Sequence, residues 1–216
     1  MLLESKIATS SAQARAGARV VTLILITLNL SVTAWIHLYE MRSPSFSPIS
    51  LSVSWDTVFL QDQWWRLISA LFVQITVYHL VGNMIELWFF GTRIGLIYGI
   101  PLYLFVFAFG GAVGSLVAIW CRPLSYGFGA SGATMSLLGA LIVYHFRYRN
   151  ELSRAGMWKL VLITIYAAVG VLPDIFHPFS GAAVHPVGLA VGAALGVAFS
   201  SYGHRRMSTA LWETQT

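Results

Sequence analysis

Ser131 stands between glycines in Gly129-Ala130-Ser131-Gly132, at the mouth of an apolar run. A serine hydroxyl is a weak nucleophile until a neighbouring base takes its proton. Imidazole, titrating near neutrality, is the natural base, and two histidines lie inside apolar runs. His185 opens the segment "VHPVGLAVGAALG", with Gly188, Gly192 and Gly196 at i+3, i+7 and i+11. His79 is followed by Asn83 and Glu86 at i+4 and i+7, bordered by Gly82. At 3.6 residues per turn each set forms one helix face. The chemistry such groups could perform is acyl transfer, with Ser131 attacking a carbonyl and His185 as base. The resulting oxyanion could draw on His79, the Asn83 amide and the Ser131 backbone N–H. Gly129 and Gly132 would let nucleophile and substrate backbone approach closely. No Asp or Glu is placed to orient His185, so a Ser–His dyad is expected, not a triad.

These residues must be positioned by membrane-spanning elements. The 216 residues are 57% hydrophobic and only 10% charged, with a mean hydropathy of +0.72. A soluble domain would carry about a quarter charged residues, and so few cannot clothe a water-facing surface. The apolar runs divide into six expected spans, at residues 20–39, 70–90, 100–120, 131–147, 157–172 and 181–203. They do not alternate in the way barrel strands do. The first carries Asn29 and several Thr and Ser, and the short fifth can be lengthened at the interface by Trp158 and Lys159. The fold class expected is an all-α membrane protein, a six-transmembrane-helix bundle with both termini cytoplasmic. Ten of the thirteen Lys and Arg then fall on the cytoplasmic side, leaving Arg42, Arg66 and Arg122 outside. The net charge of +5 is on this reading a topology signal, and no nucleic-acid partner is expected.

The chain divides into a cytoplasmic segment at 1–19, a membrane domain at 20–203 and a cytoplasmic tail at 204–216. The first span reads as a retained signal anchor. The longest connection, the outer loop 40–69, is rich in aromatic and apolar residues and suits the bilayer interface. A single cysteine, Cys121, excludes an internal disulfide and a cysteine metal site, and no metal or other cofactor is expected. No internal repeat is evident, which argues against an inverted-repeat transporter.

With the termini inside, spans two, four and six all begin on the outer side. Ser131 starts span four, while His185 and His79 lie so near the starts of spans six and two that their depths differ by only ~8 Å. Gly132, Ser136 and Ala140, spaced by four, face the glycine stripe of span six in kind. Small residues of this spacing let helices approach closely, so spans four and six are expected neighbours.

Three motifs, in order on alternate spans, resemble the rhomboid intramembrane serine proteases. They are His79-Leu80-Val81-Gly82-Asn83 for H-x-x-x-N, Gly129-Ala130-Ser131-Gly132 for G-x-S-G, and His185-Pro186-Val187-Gly188-Leu189-Ala190-Val191-Gly192 for H-x-x-G-x-x-x-G. Trp65-Arg66 looks like the W-R pair of the family's first outer loop. The resemblance, over roughly residues 55–203, implies a six-helix bundle cleaving transmembrane protein substrates near their outer end. It implies Ser131 as nucleophile, His185 as general base, and His79 with Asn83 at the oxyanion. This chain departs from the pattern at three positions. Met135 stands where the family commonly has an aromatic ring under the catalytic histidine, and Gln74 where many members have another histidine. Pro186 requires span six to start near Val184 or to kink there.

Other polar residues have plainer readings. Glu86 is expected in buried structural hydrogen bonding, and Trp65-Arg66 as an anchor of the outer loop. His37, His145, His177 and His204 read as interfacial. Two competitors to the protease reading are a catalytically weak or inactive relative that binds transmembrane segments, and a small transporter using His79, Glu86 and His185 as a proton relay. The compact plan points to a prokaryotic cell membrane, with the lipid bilayer and transmembrane proteins as partners and the site opening outward.

Overall fold

A computed structural model describes residues 2–43, 45–176 and 183–212; His177 lies outside them. The chain runs as α1 (Leu2–Arg42), a 3-10 turn, β1 (Val53–Ser54), a π-helical turn and the short α2 (Arg66–Ser69). There follow α3 (Val77–Glu86), a π-helical turn at Leu87–Gly91, α4 (Thr92–Tyr98), α5 (Ile100–Cys121) and β2 (Tyr126–Gly127). α6 (Ser131–Arg147), α7 (Arg154–Phe176) and α8 (Val184–Trp212) complete the bundle.

Among the described residues, five helices are long and apolar enough to cross a membrane. These are Ala12–Arg42, Val77–Tyr98 (α3, the π turn and α4 together), Ile100–Cys121, Arg154–Leu172 and Val184–Ser208. α6, expected as the fourth span, has only 17 residues. Its length of about 26 Å is short of a ~30 Å hydrocarbon layer. It lies at the centre of the molecule, buried at every position from 131 to 141, between α5 and α8 with α7 alongside. α1 and α7 are peripheral, and both expose large apolar side chains, including Leu23, Leu28 and Leu38 on one and Leu162, Ile165 and Val169 on the other. Water would not tolerate patches of this extent.

The second span differs from the expected 70–90. Ala70–Phe72 is a 3-10 turn, the chain is extended at Val73 and Thr76, and the helix starts at Val77. Thr76 caps that start, its hydroxyl accepting from the His79 N–H at 3.2 Å. At the other end the helix continues past Arg93, whose guanidinium folds back to donate to the Phe89 carbonyl and lies over the Phe89 ring. Gly99, at φ +81°, ends it and turns the chain into α5. The first helix likewise begins well before residue 20. Ala18 is fully buried against α4, where a Cβ on Gly95 would come 2.9 Å from the Ala18 Cβ. One turn on, Thr22 Oγ1 and Tyr103 Oη hydrogen-bond at 3.0 Å, tying α1 to α5.

Residues 45–69 form a cap. Arg66 Nη1 donates to the carbonyls of Ser50 and Ser52 at 2.7 and 3.0 Å, and its Nε donates to Gln63 Oε1 at 2.5 Å. β1 pairs antiparallel with β2, Val53 opposite Gly127 and Ser54 opposite Tyr126. Val53, Val58, Ala70 and Ile119 form a small core beneath it. The 40–69 segment is thereby fastened to the loop that leads into Ser131.

Candidate active site

Each of the three residues proposed for chemistry lies in the first turn of its helix. Ser131 is the first residue of α6, His185 the second of α8, and His79 the third of α3. The start of α6 follows from its sequence. Gly129 adopts φ +90°, a conformation that favours glycine, and the first helical hydrogen bond runs from the Thr134 N–H to the Ala130 carbonyl. The Ser131 N–H therefore has no partner within the helix and sits at the positive end of its dipole.

The α6–α8 contact is made backbone to backbone, residue for residue along the two small-residue stripes. A Cβ on Gly188 would strike the Gly132 carbonyl oxygen, one on Gly192 the Ser136 carbonyl oxygen, and one on Gly196 would come 2.9 Å from the Ala140 Cα. A Cβ on Gly132 would come 2.5 Å from Val184 Cγ1. His185 sits between Val184 and Gly188 and is thus delivered to the turn that carries Ser131. The Ser136 hydroxyl turns away to α5, donating to the Val106 carbonyl at 3.1 Å. Pro186 falls in the first turn of α8, where no helical hydrogen bond is lost.

His79 is held against the loop before Ser131. A Cβ on Gly129 would lie 2.5 Å from the His79 Cε1, and the Phe128 ring meets the imidazole edge-on with centroids 6.1 Å apart. The Gly129 N–H donates to the Ala70 carbonyl at 2.9 Å, fixing the loop to the segment that precedes α3. Asn83, one turn below His79, is 3% exposed and its Nδ2 donates to Gln74 Oε1 at 2.9 Å.

The remaining residues singled out in the sequence have structural surroundings. Met135 is buried and reaches toward α7, its Cε 3.4 Å from where a Cβ on Gly170 would lie. Trp65 is 60% exposed, with the Arg66 guanidinium 5.0 Å from its ring centroid. Glu86 accepts from Thr134 Oγ1 at 2.5 Å and from the Tyr166 hydroxyl, so it joins α3 to α6 and α7. Thr134 Oγ1 also lies 3.0 Å from the Ser131 carbonyl. A cavity of about 440 Å³ opens beside Glu86, removed from the serine turn, its walls mostly apolar but including Arg93, His145 and Lys159. Among the described residues no group of three or more His, Cys, Asp or Glu is placed to hold a metal ion.

Sequence reasoning overlooked Thr134 and Tyr166 as partners of Glu86, and treated Gln74 only as a departure from a motif. The signal available was the cost of a carboxylate and an amide in apolar segments, which requires partners to exist even when it does not name them.

Comparison with known proteins follows the same residues. A family model described as the rhomboid domain matches residues 61–202. The chain is 25% identical over 157 residues to the rhomboid protease GluP of Bacillus subtilis, covering 73% of this chain and 31% of that protein. It is 30% identical over 149 residues to the mitochondrial RHOMBOID-like protein 6 of Arabidopsis thaliana, covering 67% of this chain and 47% of the relative. It is 28% identical over 91 residues to rhomboid-like protease 3 of Toxoplasma gondii, covering 42% and 35% of the two chains. The chain thus spans about a third to a half of these curated relatives. With a rhomboid domain over most of its length and five apolar helices able to cross a bilayer, this integral membrane protein belongs to the rhomboid family.

Proposed function

We propose that the protein is an intramembrane serine endopeptidase that hydrolyses peptide bonds in or near the transmembrane segments of other membrane proteins. The observation that carries this reading is the convergence of Ser131, His185 and His79 in the first turns of three helices, two of them in backbone contact. Ser131 Oγ attacks the scissile carbonyl carbon while His185 takes the hydroxyl proton. Negative charge gathers on the carbonyl oxygen, where the orphaned Ser131 N–H, His79 and the Asn83 amide act as donors. Collapse breaks the C–N bond and His185 returns the proton to the leaving amine. Water then attacks the acyl-enzyme with His185 again as base, releasing the carboxylate product and restoring the serine. The substrate helix must unwind locally, since a helical carbonyl is hydrogen-bonded and sterically hidden. Helix-weakening residues such as Gly are therefore expected near the cleaved bond.

In this reading α6 counts as a sixth span and both termini are cytoplasmic. The first turns of α3, α6 and α8 then lie in the outer leaflet, and the site opens outward in a prokaryotic cell membrane. The membrane domain is 20–203, flanked by cytoplasmic segments at 1–19 and 204–216.

The test is cleavage of a generic transmembrane substrate by purified protein in liposomes, with Ser131→Ala and His185→Ala alongside. Both variants should lose activity while remaining folded. Undiminished cleavage by either would sink the dyad, and a parent protein inert toward varied substrates would favour the non-cleaving, segment-binding relative.

A further inference from the structure

Three buried amides run in a chain from α1 to Asn83. Asn29 Nδ2 donates to the Leu25 carbonyl at 2.9 Å, and Gln74 Nε2 donates to Asn29 Oδ1 at 3.0 Å. Asn83 Nδ2 donates in turn to Gln74 Oε1 at 2.9 Å. Asn29 and Gln74 are fully buried and Asn83 nearly so. A primary amide has almost the same shape after a half-turn, so partners alone decide which way it faces. Here the direction is imposed from one end. The Leu25 carbonyl only accepts, so Asn29 must turn its NH2 toward it and its oxygen toward Gln74. Gln74 must then offer its NH2 to Asn29 and its oxygen to Asn83, which leaves Asn83 presenting nitrogen. Turning Asn29 or Gln74 over sets oxygen against oxygen and nitrogen against nitrogen, and turning Asn83 over sets its oxygen against that of Gln74, buried away from water.

The far end of the chain lies beside the serine loop. Gln74 Oε1 is 3.2 Å from where a Cβ on Gly129 would lie, so the Asn83 nitrogen it receives is turned toward the same side. We infer that Asn29 and Gln74 are positioning residues that fix the Asn83 amide with its nitrogen, not its oxygen, toward the oxyanion. This rests on the protease reading given above. Gln74 takes one of the two N–H groups of Asn83, and the other remains to donate to developing negative charge. Were the amide reversed, its oxygen would repel that charge. A residue of the first span thereby acts on catalysis through two intervening amides without approaching the substrate.

The test is a double-mutant cycle on kcat and KM, with the rate of Ser131 labelling by a fluorophosphonate normalised to folded protein. Gln74→Met keeps the length and removes the amide, and Asn29→Leu breaks the chain one link further away. Each is expected to lower kcat and labelling about tenfold to a hundredfold with KM unchanged, the scale of a small misplacement of a catalytic group. Asn83→Ala should lower kcat comparably, and in that background neither substitution should cost anything more. Equal losses in both backgrounds would overturn the positioning role and leave the protease reading standing. An unaltered kcat in Asn83→Ala would overturn Asn83 as oxyanion donor, and the chain with it, while the Ser131 and His185 variants still decide the dyad. A parent protein that neither cleaves nor labels would overturn both readings. Should Gln74→Met fail to fold, Asn29→Leu carries the cycle alone.

Discussion

Gly192→Ala tests most directly whether the α6–α8 backbone contact sets the proposed serine–histidine geometry. The added methyl would enter the Ser136 carbonyl, and would lie 2.5 Å from its carbon and 2.6 Å from the Ser136 Cα. Ordinary contact begins near 3.4 Å, and all three atoms are backbone, so no side chain can swing aside. α8 must withdraw from α6 by more than about 1 Å, an overpacking that costs about 1–3 kcal/mol and here the upper end of that range. The same withdrawal carries His185 away from Ser131, and a 1 Å misplacement can lower kcat by roughly a hundredfold. Gly196→Ala, whose methyl would meet Ala140 at 2.9 Å, should do the same more mildly. Gly82→Ala is the control. It lies in α3 with nothing within 4 Å of the added Cβ, and should be neutral or stabilise by about 0.5–1 kcal/mol. Thermal unfolding in detergent and cleavage well below the transition read the two quantities separately. Unchanged unfolding and unchanged kcat in Gly192→Ala would refute the claim that this backbone contact sets the serine–histidine geometry.

Gly129→Ala combines a backbone at φ +90° with a methyl driven into His79, and should cost about 1–3 kcal/mol and most of the activity; full activity would show that His79 does not need its place against the loop. Thr134→Val removes one of the two hydroxyls that Glu86 accepts from among the described residues, so unfolding should move by about 1–3 kcal/mol, and kcat per folded molecule by no more than about twofold. Pro186→Ala should change stability by less than about 1 kcal/mol, because α8 already starts at Val184; a large loss would mean the proline shapes the helix entry. Met135→Phe should keep or raise kcat if the side chain supports His185, and a large loss with normal folding would show that this position instead serves the contact with Gly170.

The parts of the fold that could be read from the sequence are those written in steric exclusion. Only Gly, Ala and Ser allow two helix backbones to touch, so the spacing of four in Gly132, Ser136 and Ala140 and in Gly188, Gly192 and Gly196 announced the α6–α8 pair, and the structure joins them one to one. The start of α6 was legible for the same reason, in the glycines beside Ser131. The start of the second helix was not. Residues 70–76 are as apolar as a helix, but Ala70–Phe72 closes a 3-10 turn and the chain then runs extended at Val73 and Thr76, where Gln74 reaches Asn29, 45 residues away in sequence, and Thr76 caps the next helix. Pairing of two residues in each strand is likewise too short to leave an alternating pattern. Glu86 announced that partners must exist, but Thr134 and Tyr166 are ordinary residues on ordinary helix faces until the bundle closes.

The shortness of α6 explains why the loop before α2 and the chain leading into Ser131 are built as they are. On the proposed topology, a helix of 17 residues cannot reach both surfaces of the hydrocarbon layer, so Ser131 starts below the outer one. The chain that leads down to it must then carry irregular backbone at membrane depth, which is tolerated only where protein satisfies its polar groups. Several groups of residues 122–130 are met in this way. The Ser125 N–H and hydroxyl both bond the Arg122 carbonyl, Tyr126 and Gly127 pair with Ser54 and Val53, and the Gly129 N–H reaches Ala70. Arg66 in turn holds the segment carrying β1 through the Ser50 and Ser52 carbonyls. The recessed serine, the two-stranded ladder and the arginine-pinned cap are therefore one structural requirement. Breaking the ladder should disturb Ser131 before it disturbs the bundle, because the α6–α8 glycine contacts do not depend on it.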